Sequence, residues 1–114
     1  MEHIMKLNKK PYEKIRDRRK VIELRLYDEK RRKIAVGDTI IFNNREEDAE
    51  PLKVRVIGLL NYESFRALVN DFPMDYFAKG EDYGKEELIN GMYKFYTKEE
   101  EEKYGVLGIR IELI

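Results

Sequence analysis

The chain has no cysteine and a single histidine, His3, in 114 residues. Without cysteine it cannot form disulfides, iron–sulfur clusters, cysteine zinc sites or thiol nucleophiles, and it suits a reducing compartment. One histidine rules out a multi-histidine metal centre, and no metal or cofactor is expected. His3 alternates with Ile4, and an exposed strand residue is the expectation for it. Met1-Glu2-His3-Ile4 opens without the long apolar core of a signal peptide. No apolar run approaches the roughly 20 residues that a membrane helix needs. A cytoplasmic location, away from membranes, is the expectation. Repeats, low-complexity tracts and linkers are also missing. The polar stretch Asn43 to Pro51, with Arg45-Glu46-Glu47-Asp48 inside it, is too short to separate domains. One domain over residues 1–114 is expected.

Charge is what the chain has in abundance. Charged residues make up 40% and hydrophobic residues 42%, enough for one modest core under a densely charged surface. The formal net charge is zero, yet the signs are segregated. Residues 1–34 hold 13 Lys/Arg and 6 Asp/Glu, a net +7, and residues 35–114 hold 10 and 17, a net −7. Two readings fit this asymmetry: an anionic partner for the basic end, or a fold that interleaves the halves and cancels the field.

The hydrophobic pattern predicts strand, helix, three strands, helices, strand. Ile4 to Leu7 reads as a first strand. Pro11 opens a helix carrying Tyr12 and Ile15. Val21 to Tyr27 alternates with period two: Ile22, Leu24 and Leu26 face a core, and Glu23, Arg25 and Tyr27 face the other way. Asp28 to Lys33 is a charged turn before a strand over Thr39 to Phe42. Leu52 to Leu60 is the next strand. Phe65, Leu68, Val69 and Phe72 form the stripe of an amphipathic helix with Ser64 as N-cap. Lys85 to Phe95 predicts another helix, with Leu88, Ile89, Met92 and Phe95 inward. Thr97 and Glu100 make a capping-box pair for a short helix through Lys103. Val106 to Ile114 closes as a strand with Ile109, Ile111 and Leu113 on one face. Helices confined to two places among five or so strands predict an α+β fold. Ile22, Leu24, Leu26, Val54, Val56, Ile109 and Ile111 are expected to line one shared core.

The most informative segment for chemistry is Lys20-Val21-Ile22-Glu23-Leu24-Arg25. Glu23 and Arg25 share a face about 7 Å apart along the strand, with Lys20 at its mouth. On residues alone, a solvated face with an incidental ion pair and a functional cluster both remain open. The same holds for Lys14, Arg16, Arg18 and Arg19 on the first helix and Lys30, Arg31, Arg32 and Lys33 in the turn. They could track phosphates, or be the charged surface this composition produces. Tyr27, on the Glu23/Arg25 face, is the strongest tyrosine candidate for stacking on a base. Glu99 to Glu102 reads as a solvated helix turn.

Lys6-Leu7, Pro11-Tyr12-Glu13-Lys14-Ile15 and Lys20-Val21-Ile22-Glu23-Leu24-Arg25 together resemble the ASCH domain signature. That signature is a strand, a Pro-Phe-like helix, then Gly-x-Lys-Thr-x-Glu-x-Arg. Asp28-Glu29-Lys30-Arg31, Val36-Gly37-Asp38, Tyr62-Glu63-Ser64-Phe65 and Tyr104-Gly105-Val106-Leu107-Gly108-Ile109 extend the likeness over nearly the whole chain. The resemblance implies a small PUA-like β-barrel of about five to six strands with helices covering its ends. It also implies a cleft lined by Lys20, Glu23 and Arg25, with RNA or a modified nucleoside as partner. Arg18, Arg19, Lys30, Arg31 and Tyr27 are the further binding candidates.

The family's amidohydrolase branch, which deacetylates acetylcytidine nucleosides, and a ribonuclease type imply an alternative. In it Lys20 and Glu23 act as an acid–base pair. Arg18 stands where the signature usually has Gly, and Val21 where Thr is common. Glu23 replaces the threonine nucleophile of the amidohydrolase branch. A substitute mechanism would use Glu23 or Lys20 as base on a water and Arg25 for the oxyanion. An ungapped count back from Tyr96 brings Glu81 to the place of that branch's later catalytic Glu; an ordinary loop acid is the other reading. An adaptor using the cleft for a protein partner is a third possibility.

Overall fold

The computed structural model describes residues 1–46 and 49–114. Glu47 and Asp48, which fall in the expected polar loop, lie outside the described residues. The strands are β1 (Glu2–Leu7), β2 (Ile22–Leu26), β3 (Thr39–Asn44), β4 (Leu52–Tyr62) and β5 (Val106–Leu113). The helices are α1 (Lys9–Arg16), α2 (Phe65–Asn70), α3 (Asp75–Ala78), α4 (Lys85–Met92) and α5 (Lys98–Tyr104). The expected α+β fold is found, as one five-stranded curled half-barrel sheet in the order β1-β3-β4-β5-β2. β1 runs parallel to β3, and the other neighbours are antiparallel. The chain therefore begins at one edge of the sheet and soon reaches the other, with α1 joining the two edge strands.

Local chemistry accounts for the helix ends. The Ser64 hydroxyl accepts from Ala67 N–H at 3.0 Å, as an N-cap should. Thr97 and Glu100 form the full capping box of α5. Gly105 ends α5 at φ 74°, in the region where a side chain is strained. Gly108 answers a different need. A Cβ there would sit 2.8 Å from Leu68 Cδ1, so glycine lets α2 lie close on β5.

The core is split in two, not shared as the sequence pattern implied. Met5, Leu7, Tyr12, Ile15, Ile40, Phe42, Val54, Val56, Leu107, Ile109 and Ile111 pack between the sheet and α1. Ile22, Leu24, Leu26, Phe65, Leu68, Val69, Phe77, Ile89 and Val106 pack on the other face beneath α2 and α4. The register explains the split. Opposed residues in an antiparallel pair project to the same face. Leu24 lies opposite Gly108 and Leu26 opposite Val106, whereas Glu23 lies opposite Ile109 and Arg25 opposite Leu107. β5 is covered on both faces, so its two sets of side chains serve different clusters.

Four smaller expectations change. Glu101, in the run read as a solvated turn, is buried and accepts from Phe65 N–H at 2.8 Å and from Tyr93 OH. α4 stops at Met92, and Phe95 is 64% exposed instead of inward. His3 is partly buried and Ile4 is exposed, the reverse of the expected faces. His3 Nε2 meets Asp38 Oδ2 at 2.8 Å, which gives the ring a polar partner inside. Finally, β2 is buried on both faces, so it is not the half-solvated strand its alternation predicted.

Candidate functional site

Because Glu23 and Arg25 share the face of Ile109 and Leu107, they carry charge towards the first of the two clusters. Glu23 is 4% exposed and Arg25 7%. A buried charge is expensive unless it is paired and hydrogen-bonded. Here Lys20 Nζ lies 2.8 Å from Glu23 Oε1, and Arg25 Nε donates to Glu23 Oε2 at 2.9 Å. Arg25 Nη2 also donates to the backbone carbonyl of Lys6 at 2.9 Å. The guanidinium thus reaches from β2 to β1, the two edges of the sheet. One carboxylate holds two cations, leaving the cluster with a net positive charge. Burial pushes the Glu23 carboxyl up, but Lys20 and Arg25 outweigh it and hold its pKa at about 2. Burial works against the charged Arg25 as well; Glu23, with help from the Tyr96 phenol, more than offsets it and raises its pKa.

The backbone around α1 and β2 fixes this cluster. Val21 N–H donates to Tyr76 O, and Ile111 N–H donates to Val21 O. Arg18 makes the turn out of α1 with φ 61°, the one left-handed non-glycine residue among those described.

Above the cluster opens a cleft of about 570 Å³. Among the described residues its lining holds five cations, Lys6, Lys20, Arg25, Arg31 and Arg45, against one carboxylate, Glu23. Leu7, Pro11, Leu24, Met92, Phe95 and Tyr96 supply apolar wall. Tyr96 stacks on Phe65 with ring centroids 5.7 Å apart, which anchors the aromatic side of the cleft to the second cluster. Phe95 stands on the rim. Arg31 pairs with Asp28 at 2.9 Å through one terminal nitrogen. Its Nε is buried without a hydrogen-bond partner among the described residues. No cluster of His, Asp and Glu fit for a metal occurs among the described residues. None of their helices is long and apolar enough to cross a membrane.

Of the residues singled out by sequence, Lys20, Glu23, Arg25 and Arg31 come together here. The others do not. Glu81 lies 3.1 Å from Arg19 and 3.9 Å from Lys14, in a separate group that fastens the loop before α4 to α1. Tyr27 packs partly buried against the first cluster, with the Arg32 guanidinium over its ring at 4.4 Å. Lys30 is exposed beside the short turn at Arg31–Lys33. Arg18 lines a second depression instead. Sequence reasoning missed Lys6, Arg45, Met92, Phe95 and Tyr96. For Phe95 the signal was available: an aromatic just before the Thr97 cap lies past the end of one helix and before the next.

Several known proteins share this arrangement of the chain. The profile of the ASCH domain family matches residues 5–114. The crystal structure of hypothetical protein PH0355 is similar at 39% identity and a TM-score of 0.88, with both chains covered in full. The solution structure of protein PF0455 from Pyrococcus furiosus is 41% identical with a TM-score of 0.78, covering 100% of this chain and 98% of that one. A serine-to-alanine mutant of ZmASCH from Zymomonas mobilis shares the fold at 9% identity and a TM-score of 0.67, over 99% of this chain and 70% of its own. No curated protein matches the chain.

Proposed function

The chain belongs to the ASCH domain family, and from that premise we propose that its cleft binds single-stranded RNA or a nucleotide unit derived from it. The observation that carries this reading is the make-up of the lining. Five cations against one carboxylate attract an anion, and aromatic and apolar wall beside them suits a base. The phosphate meets Lys6, Arg31 and Arg45, and the base lies against Phe95 and Tyr96. Arg31 Nε adds a specific motive. A buried donor without an acceptor costs about 1–3 kcal/mol, and a phosphate or carbonyl oxygen would relieve that cost.

Binding is favoured over the hydrolase alternative by the state of Glu23. With its pKa near 2 and both oxygens engaged, it is an anion at neutral pH. A group so far from the working pH exchanges protons poorly. The carboxylate instead holds Lys20 and Arg25 in place beneath the ligand.

The test is fluorescence anisotropy with a labelled single-stranded RNA, read between about 50 and 200 mM salt. Affinity should fall steeply over that range, and Arg31→Ala with Arg45→Ala should flatten the slope. No binding at micromolar protein, or binding insensitive to salt, contradicts the reading and leaves a protein partner. Cytidine released from acetylcytidine by wild type but not by Lys20→Ala would put the hydrolase in its place.

A further inference from the structure

Lys20 belongs to the linings of two depressions. One is the cleft. The other, of about 320 Å³, is lined by Ile15, Arg18, Lys20, Val21, Ile111, Glu112 and Leu113. The second has the composition of a small ligand site, mostly apolar with a few polar groups. We propose that the ligand continues past Lys20 into this second depression, where Arg18 holds the phosphate of a neighbouring nucleotide, so that the protein takes a strand and not an isolated nucleotide. This rests on the nucleotide reading of the cleft and extends it.

Three observations converge on Arg18. Its backbone sits at φ 61°, where a residue with a Cβ is strained and glycine is not. Strained backbone is kept where the side chain has a use, and a long cation is a costly choice for a turn that glycine makes freely. Its guanidinium has no carboxylate or hydrogen-bond partner among the described residues, although Arg16 and Arg19 on either side are both paired. Glu112, the acid in the same lining, leans towards Arg55 at 3.8 Å. Arg18 is exposed, and it lines the second depression together with Lys20, whereas Phe95 lines the cleft with Lys20.

A dinucleotide would therefore bind in the order base, phosphate, neighbour. The first unit lies in the cleft with its own phosphate at Lys6, Arg31 and Arg45, and the phosphate of the neighbouring unit, which forms the linkage, passes Lys20 and meets Arg18. Partly exposed Val21 and Leu113 give the neighbouring sugar or base an apolar surface to lie on.

The experiment compares cytidine 5′-monophosphate, a 5′-phosphorylated cytidine dinucleotide and a longer 5′-phosphorylated oligocytidylate against wild type, Arg18→Gly and Arg18→Lys, by calorimetry. Arg18→Gly should fold, because glycine accepts φ 61° without strain, and thermal unfolding verifies that. Wild type should prefer the dinucleotide to the mononucleotide by about tenfold, with little further gain for longer strands. Arg18→Gly should collapse that ratio and lower the salt slope for the dinucleotide by roughly 0.7, the share of one phosphate. Arg18→Lys should keep most of both. Equal affinity at all lengths, or a ratio that Arg18→Gly does not move, overturns the extension while mononucleotide binding keeps the reading of the cleft. No binding of any of the three overturns both.

Discussion

Arg25 Nη2 donates to the carbonyl oxygen of Lys6 at 2.9 Å, across the opening between the last strand of the sheet and the first. No backbone ladder joins β1 to β2 among the described residues, so a side chain does what strand pairing does elsewhere in the sheet. The same guanidinium holds Glu23. Closure of the half-barrel and the charge of the cleft floor are therefore one arrangement.

Removing Arg25 should test that coupling. Arg25→Met keeps the bulk but leaves Glu23 with Lys20 alone and the Lys6 carbonyl without its donor. Losing one member of a buried ion pair costs about 3–5 kcal/mol, and the surviving Lys20 contact puts this variant at the lower end. Urea unfolding measures it. A change below about 1 kcal/mol would mean that the edges are held by other means.

Acid should find Glu23. Its folded pKa of about 2 lies below its ordinary 4.5, so the folded state binds the proton less readily than the unfolded state. The stability it contributes is complete above about pH 4.5 and is lost as pH falls towards 2. The difference corresponds to about 3 kcal/mol. Asp38 is held at about 2, chiefly by its hydrogen bond to His3, and loses its contribution in the same window. In an Asp38→Asn background, Glu23→Gln should lower stability at pH 7, with the gap to its parent narrowing below about pH 4.5 and closing only near pH 2. Parallel curves across that range would contradict the depressed carboxyl.

Two packing variants probe the second cluster. Leu24 is 3% exposed, and Leu24→Ala should cost about 2–5 kcal/mol. Gly108→Ala puts a methyl 2.8 Å from Leu68 Cδ1 and 3.3 Å from Ile22 Cγ2, both on fully buried residues. A loss of about 1–3 kcal/mol is expected from overpacking. Thermal unfolding reads both, and an unchanged midpoint for Gly108→Ala would mean that α2 shifts freely on β5.

Phe95 should separate binding from folding. At 64% exposure it contributes little to the core. Phe95→Ala should leave the unfolding midpoint within a degree or two and weaken RNA by about 1–3 kcal/mol, the worth of one stacked base. Unchanged affinity would take Phe95 out of the interface.

Much of the fold was legible because period-two runs such as Ile22 to Leu26 and Val106 to Leu113 and the caps Ser64 and Thr97 are local signals. What stayed hidden is what register decides. The alternation of β2 shows that Glu23 and Leu24 face opposite ways, but not that both ways lead inside. Only the pairing of Glu23 with Ile109 and Leu24 with Gly108 reveals two clusters in place of one. The candidate site was legible in its floor, since Lys20, Glu23 and Arg25 lie within one short segment. Its walls were not, because Lys6, Arg45 and Phe95 come from chain segments that meet only after the sheet curls. Glu81 shows the converse: an ungapped count carried it towards the site, and its partners turned out to be Arg19 and Lys14.

The most direct measurement is a titration of isotope-labelled protein with cytidine 5′-monophosphate and with a short single-stranded RNA, followed by backbone and side-chain NMR shifts. The account predicts shifts concentrated on Lys6, Lys20, Arg25, Arg31, Phe95 and Tyr96, saturating with concentration and weakening with salt. Shifts confined to other surfaces, or none at millimolar ligand, would contradict it.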